Sequence, residues 1–243
     1  MYLCAKIVTK RRNNTMMVFE NIPHVERKIF KRTTMNEIAL FFTFDAIDIA
    51  ERREQMTGMI ADFGLSVLSL EGKTENEAFV YIDQDVVVTF VSSGVLVNVP
   101  TIKYRDFHTT EPVWKRLSQL MLSLNLNTLV WTFTKGNRLL FTRQLDDEAK
   151  QKVLSICLSE AMLKAMGSER VYVEESIDKR RTFTCRYGYE AFKDRTALSL
   201  KTMITTQSYK PESLLQEVME TNDLMFDVWF WAASEELKTM MDK

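Results

Sequence analysis

The chain has 243 residues, 46% hydrophobic and 27% charged, with 32 Lys/Arg against 33 Asp/Glu, a globular composition that needs no disulfides to complete a core. Its seven glycines stand no closer together than six residues, which rules out a P-loop, a dinucleotide-binding fingerprint and a G-x-S-x-G nucleophile elbow. His24 and His108 stand too far apart for H-E-x-x-H and are too few for a three-histidine centre, and Cys4, Cys157 and Cys185 form no C-x-x-C pair, so these zinc and dithiol motifs are excluded as well.

Residues 1–34 read as a basic N-terminal arm or a first strand. Residues 1–35 hold eight Lys/Arg against two Glu, a net +6, and the remainder holds 24 against 31, a net −7. Such an arm is either a solvated segment or a contact for an anionic partner. No run approaches the roughly 18 apolar residues of a membrane span, and the first residues lack the apolar region of a signal peptide. The scattered, odd number of cysteines suits a reducing compartment, so a cytoplasmic protein without membrane contact is expected.

A first α+β half is expected over 35–127. Glu37–Phe44 alternates as a strand, and Ile49, Met56, Ile60 and Phe63 recur at helical spacing before Gly64, a C-cap glycine. Ser66–Leu70, Phe79–Ile82, Val86–Ser92 and Val95–Ile102 are short strands separated by polar turns. Glu111-Pro112 opens a helix with an apolar stripe of Trp114, Leu117, Leu120, Met121 and Leu124.

The same order recurs over 128–243. Thr128–Phe133 and Arg138–Thr142 are predicted to pair about a turn at Lys135-Gly136-Asn137. Asp146 caps a helix predicted to run through Val153, Ile156 and Leu163 to Gly167. Strands follow at Val171–Ser176, Thr182–Tyr189 and Ala197–Gln207. Pro211 opens a helix, and Thr221-Asn222-Asp223 is predicted to cap a final one. The expected architecture is therefore α+β, with two similar halves dividing near Asn127, each a mainly antiparallel sheet with packed helices.

Four clusters carry candidate chemistry. Asp106, His108 and Glu111 lie between a strand and a helix, where a carboxylate beside a histidine supports hydrolysis by general base catalysis; a polar loop with a helix-starting glutamate explains them equally. Asp83 and Asp85 flank a strand connection and are read either as turn residues or as the start of a cation site. Lys179–Arg195 interleaves cations with aromatics, so that Phe183, Cys185, Tyr187 and Tyr189 share one strand face. Arg181, Arg186, Tyr187 and Tyr189 would carry nucleic-acid binding if that face were open, and core packing if it were inward. Leu224–Ala233 is apolar around nearly its whole circumference, so Phe226, Trp229 and Trp231 either complete the core or form a homodimer contact.

Pro23-His24-Val25-Glu26, the aromatic-rich Tyr104-Arg105-Asp106-Phe107, Gly136-Asn137-Arg138 and the stretch from Phe226 through Glu236 together resemble a sporadically distributed bacterial family of uncharacterised proteins of about this length. The resemblance implies a two-part α+β fold and a patchy distribution typical of mobile or defence-associated genes. It implies no catalytic residues. The function expected is that of a non-enzymatic interaction protein with an unknown protein partner and no cofactor or metal, working through a groove or sheet surface between the halves. Nucleic-acid association and hydrolysis are the alternatives.

Overall fold

A computed structural model describes residues 22–70, 78–101, 106–126, 128–166 and 172–243. In chain order, its elements are strand β1 (Met35–Phe44), helix α1 (Ile49–Asp62), strands β2 (Ser66–Leu70), β3 (Ala78–Asp83), β4 (Val86–Val91) and β5 (Gly94–Asn98), and helix α2 (Glu111–Ser123). Strand β6 (Thr128–Leu140), helices α3 (Asp147–Cys157) and α4 (Glu160–Met166), strands β7 (Tyr172–Ser176), β8 (Arg181–Phe192) and β9 (Arg195–Tyr209), and helices α5 (Leu214–Ala232) and α6 (Glu235–Asp242) complete it.

The fold is α+β. All nine strands join one sheet in the order β2-β3-β4-β5-β1-β6-β9-β8-β7, and every neighbouring pair is antiparallel. Two separate sheets were expected, and the sheet instead runs unbroken across residue 127. The reason lies in the pairing of β1 with β6: Phe42 faces Trp131, Leu40 faces Phe133 and Ile38 faces Lys135, so one buried row continues from either side. That row extends through Ile204 and Phe183 on β9 and β8, and through Val95 and Val97 on β5. Helices α1, α2 and α5 cover this face, with Trp114, Leu117, Val218 and Met225 buried against it. The opposite face carries Phe41, Thr132, Thr134, Thr184 and Arg186 in half-buried or exposed positions.

Local chemistry sets the helix ends. The Asp48 carboxylate accepts the Glu51 N–H, Asp146 accepts from Ala149 and Ser234 accepts from Leu237, each satisfying an otherwise orphaned first-turn donor. Gly64 follows α1 at φ +72°, the left-handed conformation that favours glycine. Gln84 and Asp85 both take positive φ between β3 and β4, as a tight two-residue hairpin turn demands.

Three predicted boundaries are corrected. Lys135-Gly136-Asn137 makes no turn, because β6 is a single strand whose ladder continues through these residues to β1 on one side and β9 on the other. The helix predicted from Asp146 to Gly167 breaks at Leu158, which bridges Ala233 while Ser159 N–H donates to Ala232 O, so the chain turns there to dock the end of α5. Gly167 itself lies outside the described residues. Thr221-Asn222-Asp223 starts no helix; α5 passes straight through it, since Thr221 and Asn222 are buried on its inner face, and the break falls at Ala233-Ser234.

Candidate functional site: a lysine-floored cavity beneath the N-terminal strap

Alternation along β6 places Trp131, Phe133, Lys135, Asn137 and Leu139 on one side, the side that faces the helices. Lys135 is therefore held in the middle of the hydrophobic row, between Ile38 on β1 and Thr202 on β9, and is 6% exposed. Its Nζ donates to Oδ1 of Asn222 on α5 and lies 5.4 Å from the ring centres of both Phe107 and Phe133. Among the described residues no carboxylate stands within ion-pairing distance of it. A neutral amide and two aromatic faces are weak compensation for a desolvated ammonium. Burial first, and then the nearby Arg27 cation, accordingly lower the Lys135 pKa to about 7 against opposing pulls from Asp223 and Asp106.

Lys135 opens on a cavity of about 90 Å³. Lys135, Asn137 and Thr202 of the sheet form its floor. Asn222, Met225, Phe226 and Trp229 of α5, with Met241 of α6, form one wall. Residues 27–33 form the outer side. Those residues belong to a segment, 22–34, that makes no strand and crosses α5 and α6 as a strap. Arg27 pairs with Asp106 at 2.6 Å and with Asp223 at 3.4 Å, and Lys28 pairs with Asp242. Asp227, in turn, accepts from the Val25 N–H at 3.1 Å and binds His24 Nδ1 at 3.0 Å, a contact that raises the His24 pKa. Arg32 N–H donates to Met241 O, and Phe30 meets Trp229 edge-on at 5.3 Å. Two of the arm's cations, Arg27 and Lys28, thus meet carboxylates of their own chain.

Trp229 supplies a second anomaly. It is 8% exposed and lines the cavity, and its buried Nε1 has no hydrogen-bond acceptor. A buried donor left without an acceptor costs about 1–3 kcal/mol. Lys135 and Trp229 thus both line the cavity with donor capacity that no described residue takes up, beside the polar side chains of Asn137, Thr202 and Asn222 and the apolar ones of α5 and α6.

The predicted site residues fall as follows. Asp106 accepts the backbone N–H of His108 at 3.0 Å and binds Arg27, so its carboxylate is engaged away from the imidazole. His108 points Nε2 at Asp223, 3.4 Å away, and Glu111 sits exposed in the first turn of α2. Tyr104 and Arg105 lie outside the described residues. Phe183 and Cys185 are fully buried, while Tyr187 and Tyr189 are half-buried against the core, Tyr189 donating to Lys150 O at 2.6 Å. Arg181 pairs with Asp178 at 2.7 Å, and Arg186 is exposed on the opposite face. Phe226, its ring centre 6.1 Å from that of Trp229, and Trp231 are half-buried. Asp83 is bound by Arg116 of α2 through both carboxylate oxygens, one contact at 2.6 Å. Cys157 and Cys185 are buried free thiols whose pKa values burial pushes up to about 11 and about 12.

Among the described residues no three His, Cys, Asp or Glu side chains are placed to hold a metal ion, and no helix is long and apolar enough to cross a membrane. Neither Lys135 nor Asn222 was singled out from the sequence. The signal that could have found Lys135 is the period-two run from Trp131 to Leu139, which puts it inward. No known family model matches the chain, and no curated protein matches it.

Proposed function

We propose that this chain is a non-enzymatic binding protein whose working site is the strap-covered cavity at Lys135. One observation carries the reading: an ammonium built into the buried row of a sheet, with no counter-ion among the described residues, opens on a cavity. A purely structural role would be better served by an apolar side chain, because an unpaired buried charge costs several kcal/mol. Lys135 is explained if a ligand completes it. One water needs roughly 10–15 Å³ of such space, so the cavity has room for a small organic molecule. The cluster of Asp106, His108 and Glu111 supports hydrolysis less well, since Asp106 is tied to Arg27. The 181–189 segment supports nucleic-acid binding less well, since its aromatics turn toward the core.

The test is a screen of small organic fragments by thermal shift on the full chain, beside two variants that fill the cavity, Met225→Trp and Thr202→Ile. Fragments that raise the melting temperature of the parent and of neither variant support the reading. A screen in which every hit acts equally on all three overturns it.

The halves 35–127 and 128–243 are further proposed to descend from one duplicated unit. Support comes from the sheet order, in which β2-β3-β4-β5-β1 meets β6-β9-β8-β7 so that each half's first strand lies at the centre and its later strands run outward in reverse. Alignment of the two halves of newly sequenced relatives, with β1 on β6 and β5 on β9, would support it; a consistent best alignment in another register would overturn it.

A further inference from the structure

Taking the cavity as the binding site, we infer that its ligand is a small carboxylate with an apolar body. The hydrogen-bonding inventory of the lining decides the polar end. An ammonium has three donors, and Asn222 Oδ1 takes one from Lys135. Trp229 Nε1 has no acceptor. The side-chain amide acceptors nearby each already take one hydrogen bond: Asn222 Oδ1 from Lys135, and Asn137 Oδ1 from Thr34, whose Oγ1 donates to it at 3.0 Å. Thr202 Oγ1 donates to the Lys135 carbonyl. Donors are in surplus, and Arg27, Lys28 and Arg32 add positive charge along the outer side. The complementary group is an acceptor that carries negative charge.

The rest of the lining decides the body. Phe30, Met35, Met225, Phe226 and Met241 offer no hydrogen bonds to a ligand through their side chains. A phosphate or sulfate, hydrated on every side, would leave oxygens against these surfaces unsatisfied. A carboxylate concentrates its charge at one end and leaves the other to the methionines and aromatic rings. Methionine adapts its shape to irregular apolar bodies, which suits a pocket with three of them.

A proton accompanies such a ligand. The charged groups around Lys135 are Arg27 of the strap, Asp223 of α5 and Asp106 of the loop before α2, with Lys28 and Arg32 lining the cavity and His108 reached through Asp223. In the free protein this balance leaves much of Lys135 neutral above pH 7. A carboxylate favours the ammonium, so binding above that pH draws one proton from solvent. Each further pH unit then weakens apparent affinity about tenfold until the bound-state pKa is reached.

Titration calorimetry of the full chain with isovalerate, isovaleramide and isopentylamine tests this, using three probes of similar shape that differ in the polar end. Isovalerate should bind best and the amine least, with uptake of close to one proton at pH 8 measured in two buffers of different ionisation enthalpy. Affinity for isovalerate should fall about tenfold from pH 7.5 to 8.5. Lys135→Met should weaken it at least tenfold and abolish proton uptake, and Trp229→Phe should weaken it several-fold while leaving proton uptake in place. If the amide binds as well as the acid, without proton uptake and in competition with the screening fragments, the carboxylate inference falls while the cavity reading stands. Isovalerate binding unchanged in both variants overturns the inference, because the anion is then held elsewhere. If none of the probes binds, the inference also falls, and the fragment screen shows whether the cavity reading falls with it.

Discussion

Two charges lie on the helix-facing side of the same sheet, and the protein treats them differently. Asp83, at the end of β3, is 1% exposed and is clasped by the Arg116 guanidinium through two parallel hydrogen bonds. Lys135, in the middle of β6, is nearly as buried and has only an amide and two rings. In the first case the chain supplies the counter-ion, and the planar fork of arginine fixes α2 against the tip of β3. In the second no carboxylate among the described residues pairs with the charge, which opens on a cavity instead. The Asp83 charge thus ties a helix to the sheet, whereas the Lys135 charge faces open space.

The contrast is broken most strongly from the Asp83 side. Arg116→Met strands a carboxylate with no water around it, and urea unfolding should show a loss of about 3 kcal/mol. Adding Asp83→Leu to that variant should recover much of the loss, since a pair removed together leaves no orphan; a double variant no more stable than the single one would mean that the pair's packing, not its charge, is what matters.

The Lys135 side should respond to pH instead. Its folded pKa, about 7, lies below the unfolded lysine value near 10.4. Below pH 7 both states are protonated, and the cost of burying the charge is fully present. As pH rises through 7 the folded state gives up its proton while the unfolded state keeps it, so stability rises. Relative to Lys135→Met, the parent should gain about 2 kcal/mol between pH 7 and 9 in the absence of ligand. A flat difference across that range would show that the ammonium is not desolvated as the structure indicates.

Arg27 links the strap to this behaviour. Arg27→Ala removes the pairs with Asp106 and Asp223 and should cost about 1 kcal/mol, the upper end for a partly exposed ion pair. It also removes a cation that depresses Lys135, so the midpoint of the pH-dependent gain should move upward. The smallest effect is expected at Lys28, whose pair with Asp242 is exposed: Lys28→Ala should change stability by less than about 0.5 kcal/mol.

Much of the sheet was legible because its strands obey simple alternation. Val86–Ser92 and Val95–Ile102 read as strands; β4 falls within the first, and β5, from Gly94 to Asn98, overlaps the second; Ile49, Met56 and Ile60 mark the inner face of α1. The aromatic side of β8 was readable from Phe183 to Tyr189 for the same reason. The site itself was hidden by its polarity. Lysine, glycine and asparagine in succession have the local chemistry of a turn, and only the neighbouring strands turn that run into a ladder. Gly136 serves the ladder through close packing, since a Cβ there would stand 3.0 Å from that of Glu37 on β1. Asn222 likewise reads as a helix cap, because the lysine that it serves is 87 residues away. The charge imbalance of the arm was visible, but not that Arg27 and Lys28 would meet Asp106, Asp223 and Asp242 of the same chain.

The strap also sets a timetable. The bonds that dock it, His24 and Val25 to Asp227 and Lys28 to Asp242, join residues separated by 203, 202 and 214 positions. Contacts so distant along the chain carry a loop-closure cost that neighbouring strands avoid, which places them late in folding. During synthesis at about 5–20 residues per second, the strap emerges first and waits roughly 10–40 s for α5 and α6 to follow. The strap is thus the earliest part of the cavity's lining to be made and among the last to be put in place, so the cavity closes only after α5 and α6 have formed.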